Sequence, residues 1–401
     1  MWKVPTSSFD TFFSRFTEDL MRGPSLSPLA VRLFRNGIRY RYLRATGNPA
    51  KPQAVSIEIT QRCIARCIMC NIWQSRDVVE LSTEDWINLL SSPFFSELRE
   101  LDVTGGEPFL RKDLLELIDG LSHLIDGKLR KIKSLAITTN GFLTHRILEC
   151  AVEMLEKLEP KGIHLVMALA MDGVGEIHDK IRNYKDAWTK VNETIQGLKH
   201  IRRTTKNLVI GLKTTVLPQN VDQLEKIVSY AEENELFTII SPCIITSNRY
   251  RNLDRKEDLA FSKNELAKMV RFYKSSHFQW DFHRSKLVHY LETGVMKKPC
   301  SAGFNYFFIR SNGEVYPCPL IKSKLGNIKE ARIEDLFLSK AASSFRKQVG
   351  EHAECRTCTE PGLERYALPF EGFTYLSLMM RMGKRDFLKL HHHMGLDKYF
   401  S

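Results

Sequence analysis

No apolar run in this 401-residue chain reaches the roughly 18 residues that a transmembrane helix needs, so the sequence predicts no membrane span. The N-terminal residues MWKVPTSSFDTFF also lack the basic start and apolar middle of a signal peptide. Low-complexity tracts are missing, and a content of 43% hydrophobic and 26% charged residues is typical of a globular protein. From these absences we expect a cytoplasmic protein.

Acidic residues are in the minority, since the chain has 47 Asp and Glu and 59 Lys and Arg, which gives a net charge of +12. The excess is uneven, because residues 1–52 hold nine basic and three acidic side chains. The sequence shows no base-reading module, so no nucleic-acid partner is expected. The charge instead favours solubility and some preference for anionic partners.

Three of the nine cysteines form a C-x3-C-x2-C motif directly after an apolar run, 54–60, that predicts a strand. They are Cys63, Cys67 and Cys70. In a cytoplasmic protein, cysteines indicate metal ligation more than disulfides. Three thiolates on one short loop can hold an iron–sulfur cluster and leave one iron free to bind a small molecule. A zinc knuckle or a chance cluster is the alternative.

A second motif, Thr104 to Pro108, reads TGGEP and follows a predicted strand at 98–103. Adjacent glycines Gly105 and Gly106 let a backbone approach a ligand, and Glu107 offers an acceptor for an ammonium group. Taken alone, GGEP is more typical of a plain turn. Its position about forty residues after the cysteines, at a strand end, favours a ligand-binding loop.

Four more cysteines lie between residues 300 and 358, namely Cys300, Cys318, Cys355 and Cys358. Asn312-Gly313 separates two strand-like runs and predicts a hairpin whose open end brings Cys300 and Cys318 together. Cys355 and Cys358 add a C-x2-C pair. Four cysteines in this order suit either one fully ligated 4Fe–4S cluster or one structural zinc.

Strand-like and helix-like segments alternate through the middle of the chain, which predicts a parallel sheet covered by helices. The predicted strands are 54–60, 98–103, 134–139, 163–171, 208–216 and 237–244. The predicted helices between them are 82–94, 111–125, 144–158, 186–203 and 220–234. Both the cysteine loop and the GGEP loop follow strands, so both should lie at the C-terminal edge of the sheet.

Together these motifs resemble the radical S-adenosylmethionine (SAM) superfamily, in which a large apolar residue, here Met69, precedes the third cysteine. The course from Cys300 to Cys358 resembles the auxiliary-cluster extension of these enzymes in its short twitch form, related to SPASM domains. The resemblance implies an α/β fold, a partial (β/α)6 TIM-like barrel with a small C-terminal auxiliary-cluster domain. The expected segments are 1–50 as a helical extension, 51–290 as the barrel, 291–365 as the auxiliary-cluster domain and 366–401 as a helical tail.

The resemblance also implies a chemistry. A 4Fe–4S cluster on Cys63, Cys67 and Cys70 would reductively cleave SAM to a 5′-deoxyadenosyl radical, which abstracts hydrogen from an unidentified substrate. A single auxiliary 4Fe–4S cluster is expected, because the longer SPASM form uses seven cysteines and none follows Cys358. This cluster would assist a net oxidation by accepting an electron. The residues expected to bind the cofactor are Met69, Gly105, Gly106, Glu107, Asn140, Asp172 and Arg182.

Residues 172–182 match the family pattern D-G followed by H-D-x-x-R, with one departure. Ala170 stands where the family often has a serine that contacts SAM, which puts that contact in doubt. Arg182 is expected to hold a carboxylate of SAM or of substrate. Alternatively, it pairs with Asp179 and fixes a helix.

Several other residues allow two interpretations. Cys243, at the end of the sixth strand, could contact substrate or relay a radical, although packing is favoured, and Cys150 is predicted to lie in the core. His391, His392 and His393 are expected on the surface or at an interface, because neighbouring residues on a helix cannot all face one ion.

The N-terminal segment predicts two helices. An apolar stripe runs through Phe9, Phe12, Phe13, Phe16 and Leu20, and a second helix begins near Pro28 with arginines at positions 32, 35 and 39. Packing of this second helix on the barrel is favoured, and peripheral contact with an anionic membrane is the alternative.

The expected partners are an electron donor such as flavodoxin or ferredoxin and a small-molecule, lipid-like or peptide substrate. Two alternative functions remain at this point. One is a peptide-modifying maturase of the same superfamily, and the other is a zinc-bearing nucleic-acid-binding protein.

Overall fold

A computed structural model describes residues 28–75, 79–275, 281–382 and 384–400. The predicted apolar stripe between Phe9 and Leu20 lies outside these residues. Within them, no helix is both long enough and apolar enough to cross a bilayer.

The described strands form one sheet, and its first six strands are parallel neighbours in chain order. The strands are β1 Ala54–Glu58, β2 Glu100–Thr104, β3 Ser134–Thr139, β4 His164–Ala170, β5 Leu208–Val216, β6 Phe237–Pro242, β7 Tyr306–Ile309, β8 Glu314–Tyr316 and β9 Gly326–Asn327. All six predicted strands of the barrel are present, with ends shifted by no more than two residues. The α/β fold with a partial parallel barrel is therefore confirmed.

Helices follow the strands and cover the outer face of the sheet. They are α1 Pro28–Thr46, α2 Thr83–Leu90, α3 Leu114–Gly127, α4 Thr144–Leu158, α5 Glu176–Arg182, α6 Ala187–Arg202, α7 Leu224–Glu233, α8 Lys263–Lys274, α9 Asp281–Thr293, α10 Ile333–Leu338, α11 Lys340–Lys347, α12 Pro361–Glu371, α13 Phe373–Met382 and α14 Lys384–His393. Helices α2 and α8 both begin with capping boxes, at Ser82 with Asp85 and at Ser262 with Glu265. These two starts are readable in sequence because the cap satisfies backbone donors locally.

The hairpin predicted around Asn312-Gly313 forms between β7 and β8, and it extends the barrel sheet. Strand β7 pairs in parallel with β1, so that Val55 lies beside Phe307 and Ile57 beside Ile309. The full strand order is β6-β5-β4-β3-β2-β1-β7-β8-β9. The segment with the second group of cysteines is thus joined to the barrel through backbone hydrogen bonds, while the predicted domain limits stay predictions.

Alternation along each strand separates a packed outer face from a lumen. Leu135 and Ile137 on β3 belong to the continuous core beneath the helices. Ala136 on the same strand and Ala168 on β4 point the other way and line the interior of the barrel. Because these inward residues are small, the barrel retains space that ligands can enter.

The C-terminal residues close the other end of the barrel. Glu100, the first residue of β2, is 1% exposed and forms ion pairs with Arg365 and Lys398. The hydroxyls of Tyr366 and Tyr399 lie 3.3 Å from the same carboxylate. Burial raises the pKa of Glu100, but the two cations outweigh it and lower the pKa below its usual value. The tail therefore seals the N-terminal edge of the sheet.

Helix α1, Pro28–Thr46, covers the second helix predicted near the N-terminus, and it packs against helices α12 and α13. Its buried residues include Leu33 and Tyr40, whereas Arg32, Arg35 and Arg39 are exposed. The apolar side of α1 is therefore covered by the chain's own C-terminal helices, and only its basic side faces solvent.

The expectation for His391 was wrong. This residue is 2% exposed, and its Nδ1 lies 2.9 Å from the hydroxyl of Tyr375. Its ring also stacks near Phe387, so the side chain belongs to the core between α13 and α14. The side chains of His392 and His393 lie outside the described part of the structure. Cys150 lies in the core within α4, as predicted.

Candidate active site

The three cysteines of the first motif, Cys63, Cys67 and Cys70, line one cavity of about 150 Å³ at the C-terminal edge of the sheet. Met69, Gly105 and Gly106 line it as well. The structure therefore brings together the two loops whose proximity the strand pattern predicted.

Hydrogen bonds to its backbone hold the cysteine loop from three sides. The N–H of Glu107 donates to the carbonyl of Arg62 at 2.8 Å, from the GGEP side. From helix α5, the carbonyl of Arg182 accepts from the N–H of Arg66 at 3.2 Å. After β6, the Asn252 Nδ2 donates to the carbonyl of Met69 at 2.9 Å. The loop is thus positioned by groups far apart in sequence.

The two glycines are needed for close packing of the two loops. A Cβ at Gly105 would lie 2.5 Å from the carbonyl oxygen of Thr60, and one at Gly106 would lie 2.3 Å from that of Arg62. No side chain fits at such distances, so the glycines let the GGEP backbone touch the cysteine loop. They also line the cavity, in agreement with the ligand-facing position predicted for them.

Glu107 was predicted to accept from an ammonium group, and that role stays a prediction. It is fully buried, is not among the residues that line the cavity, and accepts hydrogen bonds from the Thr139 hydroxyl and the Asn140 N–H, both at 2.8 Å. A third donor is the N–H of Phe109 at 3.2 Å. Burial raises the pKa of Glu107 to about 7 despite these donors. In the structure Glu107 connects the GGEP loop to the end of β3.

Arg182 forms an ion pair with Asp172, whereas Asp179 was the alternative partner predicted for it. Its Nη2 lies 2.6 Å from the Oδ2 of Asp172, whereas Asp179 accepts from the N–H of Trp188 at 2.7 Å. The Arg182 Nη1 also lies 3.6 Å from the Sγ of Cys67. Arg182 therefore brings a positive charge to the cysteine loop, and Asp172 compensates part of that charge.

Burial raises the pKa of all three thiols, to about 12 at Cys63 and about 11 at Cys70. At Cys67 the positive charge of Arg182 opposes this effect. Since only thiolates ligate iron, cluster binding must displace these protons. The Arg182 guanidinium is well placed to offset the resulting negative charge.

One unsatisfied group in the cavity fits a bound cofactor. The Nδ2 of Asn140 is buried and has no hydrogen-bond partner among the residues that the structure describes. Asn140 lines the cavity beside Thr138 and opposite the cysteines. A polar ligand that extends from the cysteine loop across the cavity would supply the missing acceptor.

Sequence reasoning missed four polar residues of this cavity, Lys213, Arg249, Tyr250 and Glu360. Lys213 occupies an inward position of β5, which the period-two pattern of that strand could have revealed. The others follow β6 or Cys358 in segments without regular structure, where no periodic signal exists. Cys243 also lines the cavity, and it packs against the core as well, in line with the favoured interpretation.

A second cavity, of about 390 Å³, is lined by all four cysteines of the second group, Cys300, Cys318, Cys355 and Cys358. Burial raises the pKa of each of these thiols, to about 12 at Cys300. Lys298 lines the cavity and forms an ion pair with the buried Glu364 at 3.2 Å. Within the described ranges, no three His, Cys, Asp or Glu side chains are grouped to hold a single metal ion.

The two cavities are joined by a short segment. Cys358 lines the second cavity and Glu360 lines the first. Between them, the hydroxyl of Thr359 donates to the carbonyl of Pro242 at 2.8 Å, at the end of β6. The three-residue segment from Cys358 to Glu360 therefore connects the two cavities.

Comparisons with known proteins agree with this geometry. A family model described as the Radical SAM superfamily matches residues 57–231, and one described as an iron-sulfur cluster-binding domain (SPASM) matches residues 300–359. The chain belongs to the radical SAM superfamily. The 4Fe–4S clusters and SAM predicted as cofactors follow from these two matched domains.

Individual radical SAM relatives are distant. Fe-coproporphyrin III synthase of Methanosarcina barkeri is 29% identical over 220 residues, which cover 54% of this chain and only 50% of that protein. The sporulation killing factor maturation protein SkfB of Bacillus subtilis is 23% identical over 323 residues, covering 80% of this chain and 72% of SkfB. SuiB of Streptococcus suis bound to its precursor peptide SuiA has a TM-score of 0.56 at 16% identity, covering 92% of this chain and 85% of SuiB. The likeness to SuiB shows a shared fold.

Proposed function

We propose that this radical SAM enzyme abstracts hydrogen from its substrate and completes a net oxidation with the help of one auxiliary 4Fe–4S cluster. The observation that carries the proposal is the separation of the cysteines into a group of three at one cavity and a group of four at another. Three thiolates leave one iron open, and four leave none. When bound, the open cluster and SAM supply a 5′-deoxyadenosyl radical.

The residues around the first cavity would then hold and orient these groups. Cys63, Cys67 and Cys70 ligate the cluster, and Arg182 offsets their charge through its contact with Cys67. Gly105 and Gly106 keep the GGEP backbone against the cysteine loop. Met69, Asn140 and Asp172 complete the proposed cofactor site, Asn140 through its unpaired amide and Asp172 by fixing Arg182.

The second cavity supports an electron-accepting role. A cluster held by Cys300, Cys318, Cys355 and Cys358 has no open iron, so it cannot bind substrate directly. Its link to the first cavity through Thr359 favours passage of an electron from a substrate radical.

A peptide substrate is the second candidate. SkfB is named as a maturation protein, and the SuiB structure contains a precursor peptide, which makes peptide modification plausible for this chain. An electron donor such as flavodoxin or ferredoxin remains part of the proposal. Peripheral membrane contact also remains a proposal, and the exposed Arg32, Arg35 and Arg39 supply the charge for it.

Anaerobic purification and incubation with SAM and dithionite test the function. We expect a brown protein with about eight iron atoms per chain that forms 5′-deoxyadenosine. Replacing Cys63, Cys67 and Cys70 with alanine should remove about half of the iron and abolish 5′-deoxyadenosine.

Cys150→Ala provides the matched control, because Cys150 is buried in α4 away from both cavities. It should retain iron and SAM cleavage. A wild-type chain that binds zinc in place of iron, or that carries both clusters and never cleaves SAM, would contradict the proposal.

A further inference from the structure

A deeper space continues from the first cavity into the barrel, with a volume of about 100 Å³. Lys213 on β5 lies beside Ala170 on β4 in the register of the sheet. Ala136 and Ala168 line the same space. Since alanines face the lumen from the neighbouring strands, the long side chain of Lys213 lies across from open volume.

Lys213 has no hydrogen bond and no ion pair with any residue in the described part of the chain. The negative charge of Glu360 raises its pKa, although burial acts in the opposite direction. Its ammonium group is therefore charged. Lys213 is half-buried at the cavity wall, so its ammonium group is accessible to a ligand that enters the cavity.

The other charged groups of the lumen are already engaged. Arg249 pairs with the buried Glu58 and donates to the Thr104 hydroxyl at 3.0 Å. Asp102 accepts from Ser56 at 2.7 Å, and burial raises its pKa. Lys213 is thus the cation that remains available to a ligand.

Two neutral donors accompany Lys213. The hydroxyls of Thr138 and Tyr250 make no hydrogen bond to any residue that the structure describes. Thr138, Tyr250 and Lys213 line both the first cavity and the deeper space. An ammonium and two hydroxyl donors around one opening match the needs of an acid group, which offers several acceptor oxygens.

We propose that the substrate carries an acid group, a carboxylate or a phosphate, which binds to Lys213, Thr138 and Tyr250 below the SAM position. This inference rests on the proposed function, which places SAM at the cysteine loop. Glu360 lines the same two spaces, so the ligand must also tolerate its negative charge, which restricts the anions that fit.

Calorimetric titration of the full chain, loaded with both clusters and saturated with SAM under argon, tests the inference. Sodium phosphate is titrated in one arm and sodium acetate in the other, at constant ionic strength, so that the two acid groups are distinguished. Lys213→Met removes the charge at nearly constant length. We expect wild type to bind at least one anion and Lys213→Met to bind it roughly 10- to 100-fold more weakly.

Lys185→Gln is the matched control, since it removes the same charge from an exposed position and should bind anions like wild type. Thr138→Val should weaken anion binding up to about tenfold, and it carries the test if Lys213→Met loses iron. The inference is overturned if wild type binds neither anion, if Lys213→Met binds as wild type does, or if the anions displace SAM. Failure of the proposed function is seen separately, as an absence of 5′-deoxyadenosine in wild type.

Discussion

Replacing Gly106 with alanine should separate the GGEP loop from the cysteine loop. The new Cβ would lie 2.3 Å from the carbonyl oxygen of Arg62 and 2.7 Å from that of Gln61, both backbone atoms that cannot rotate away. Real contacts of this kind stay above 3.0 Å, so the two loops must move apart by at least about 0.7 Å. Such overpacking typically costs about 1–3 kcal/mol.

The movement also strains the hydrogen bonds from Gly106 N–H to Thr60 and from Glu107 N–H to Arg62, both 2.8 Å long. With about 1 kcal/mol for each of the two weakened bonds, the total loss in the free energy of unfolding is about 3–5 kcal/mol. Arg62 immediately precedes Cys63, so the loop movement should also lower cluster occupancy. Thermal unfolding and iron content, both measured anaerobically, check the two effects.

Gly127→Ala is the control for this experiment. Gly127 ends helix α3, and an added Cβ there meets nothing within 4 Å. Alanine at that position should leave iron content unchanged and stability equal or higher, because alanine favours helix. If Gly106→Ala matched Gly127→Ala in iron content and unfolding temperature, the packing argument would be refuted.

Two further predictions concern buried carboxylates. Glu100→Gln removes the buried negative charge that compensates Arg365 and Lys398 and should destabilise the protein by about 3–5 kcal/mol in thermal unfolding. Glu97→Gln, at an exposed ion pair, should cost about 1 kcal/mol or less. Equal effects would show that Glu100 does not hold the tail. Because the pKa of Glu107 is raised to about 7 in the folded state, its contribution to stability is present below pH 4.5 and lost as pH rises through 7. The difference in stability between wild type and Glu107→Gln should therefore change by up to about 3 kcal/mol across that window, and a pH-independent difference would contradict the raised pKa.

Local sequence signals were sufficient to predict the features that depend on neighbouring residues in the chain. The barrel strands alternate or run apolar over their whole length, and the capping boxes at Ser82 and Ser262 satisfy backbone groups within one turn. The hairpin at Asn312-Gly313 was equally readable, because the backbone of its turn selects those residues. These features needed no knowledge of distant contacts.

Residue roles that depend on partners far away in the chain could not be predicted from the sequence. Arg182 was expected to hold a carboxylate of SAM or of substrate, with Asp179 on its own helix as the alternative partner, and in the structure it pairs with Asp172 just after β4. Glu107 was expected to accept from an ammonium group, which stays a prediction, and in the structure its carboxylate accepts from Thr139 and Asn140. In both cases the nearest partner in space is provided by another strand, which spacing along the chain does not encode.

By itself, the sequence determined the parallel strands and the spacing of the two groups of cysteines, because strand periodicity and residue spacing are local properties. Only the tertiary structure decided that β7 joins the barrel sheet beside β1 and that Cys358 and Glu360 connect the two cavities. It also decided that Arg249 forms an ion pair with the buried Glu58, whereas Lys213, which lines the same spaces, forms none with the residues that the structure describes. Partners of this kind are set by packing in three dimensions.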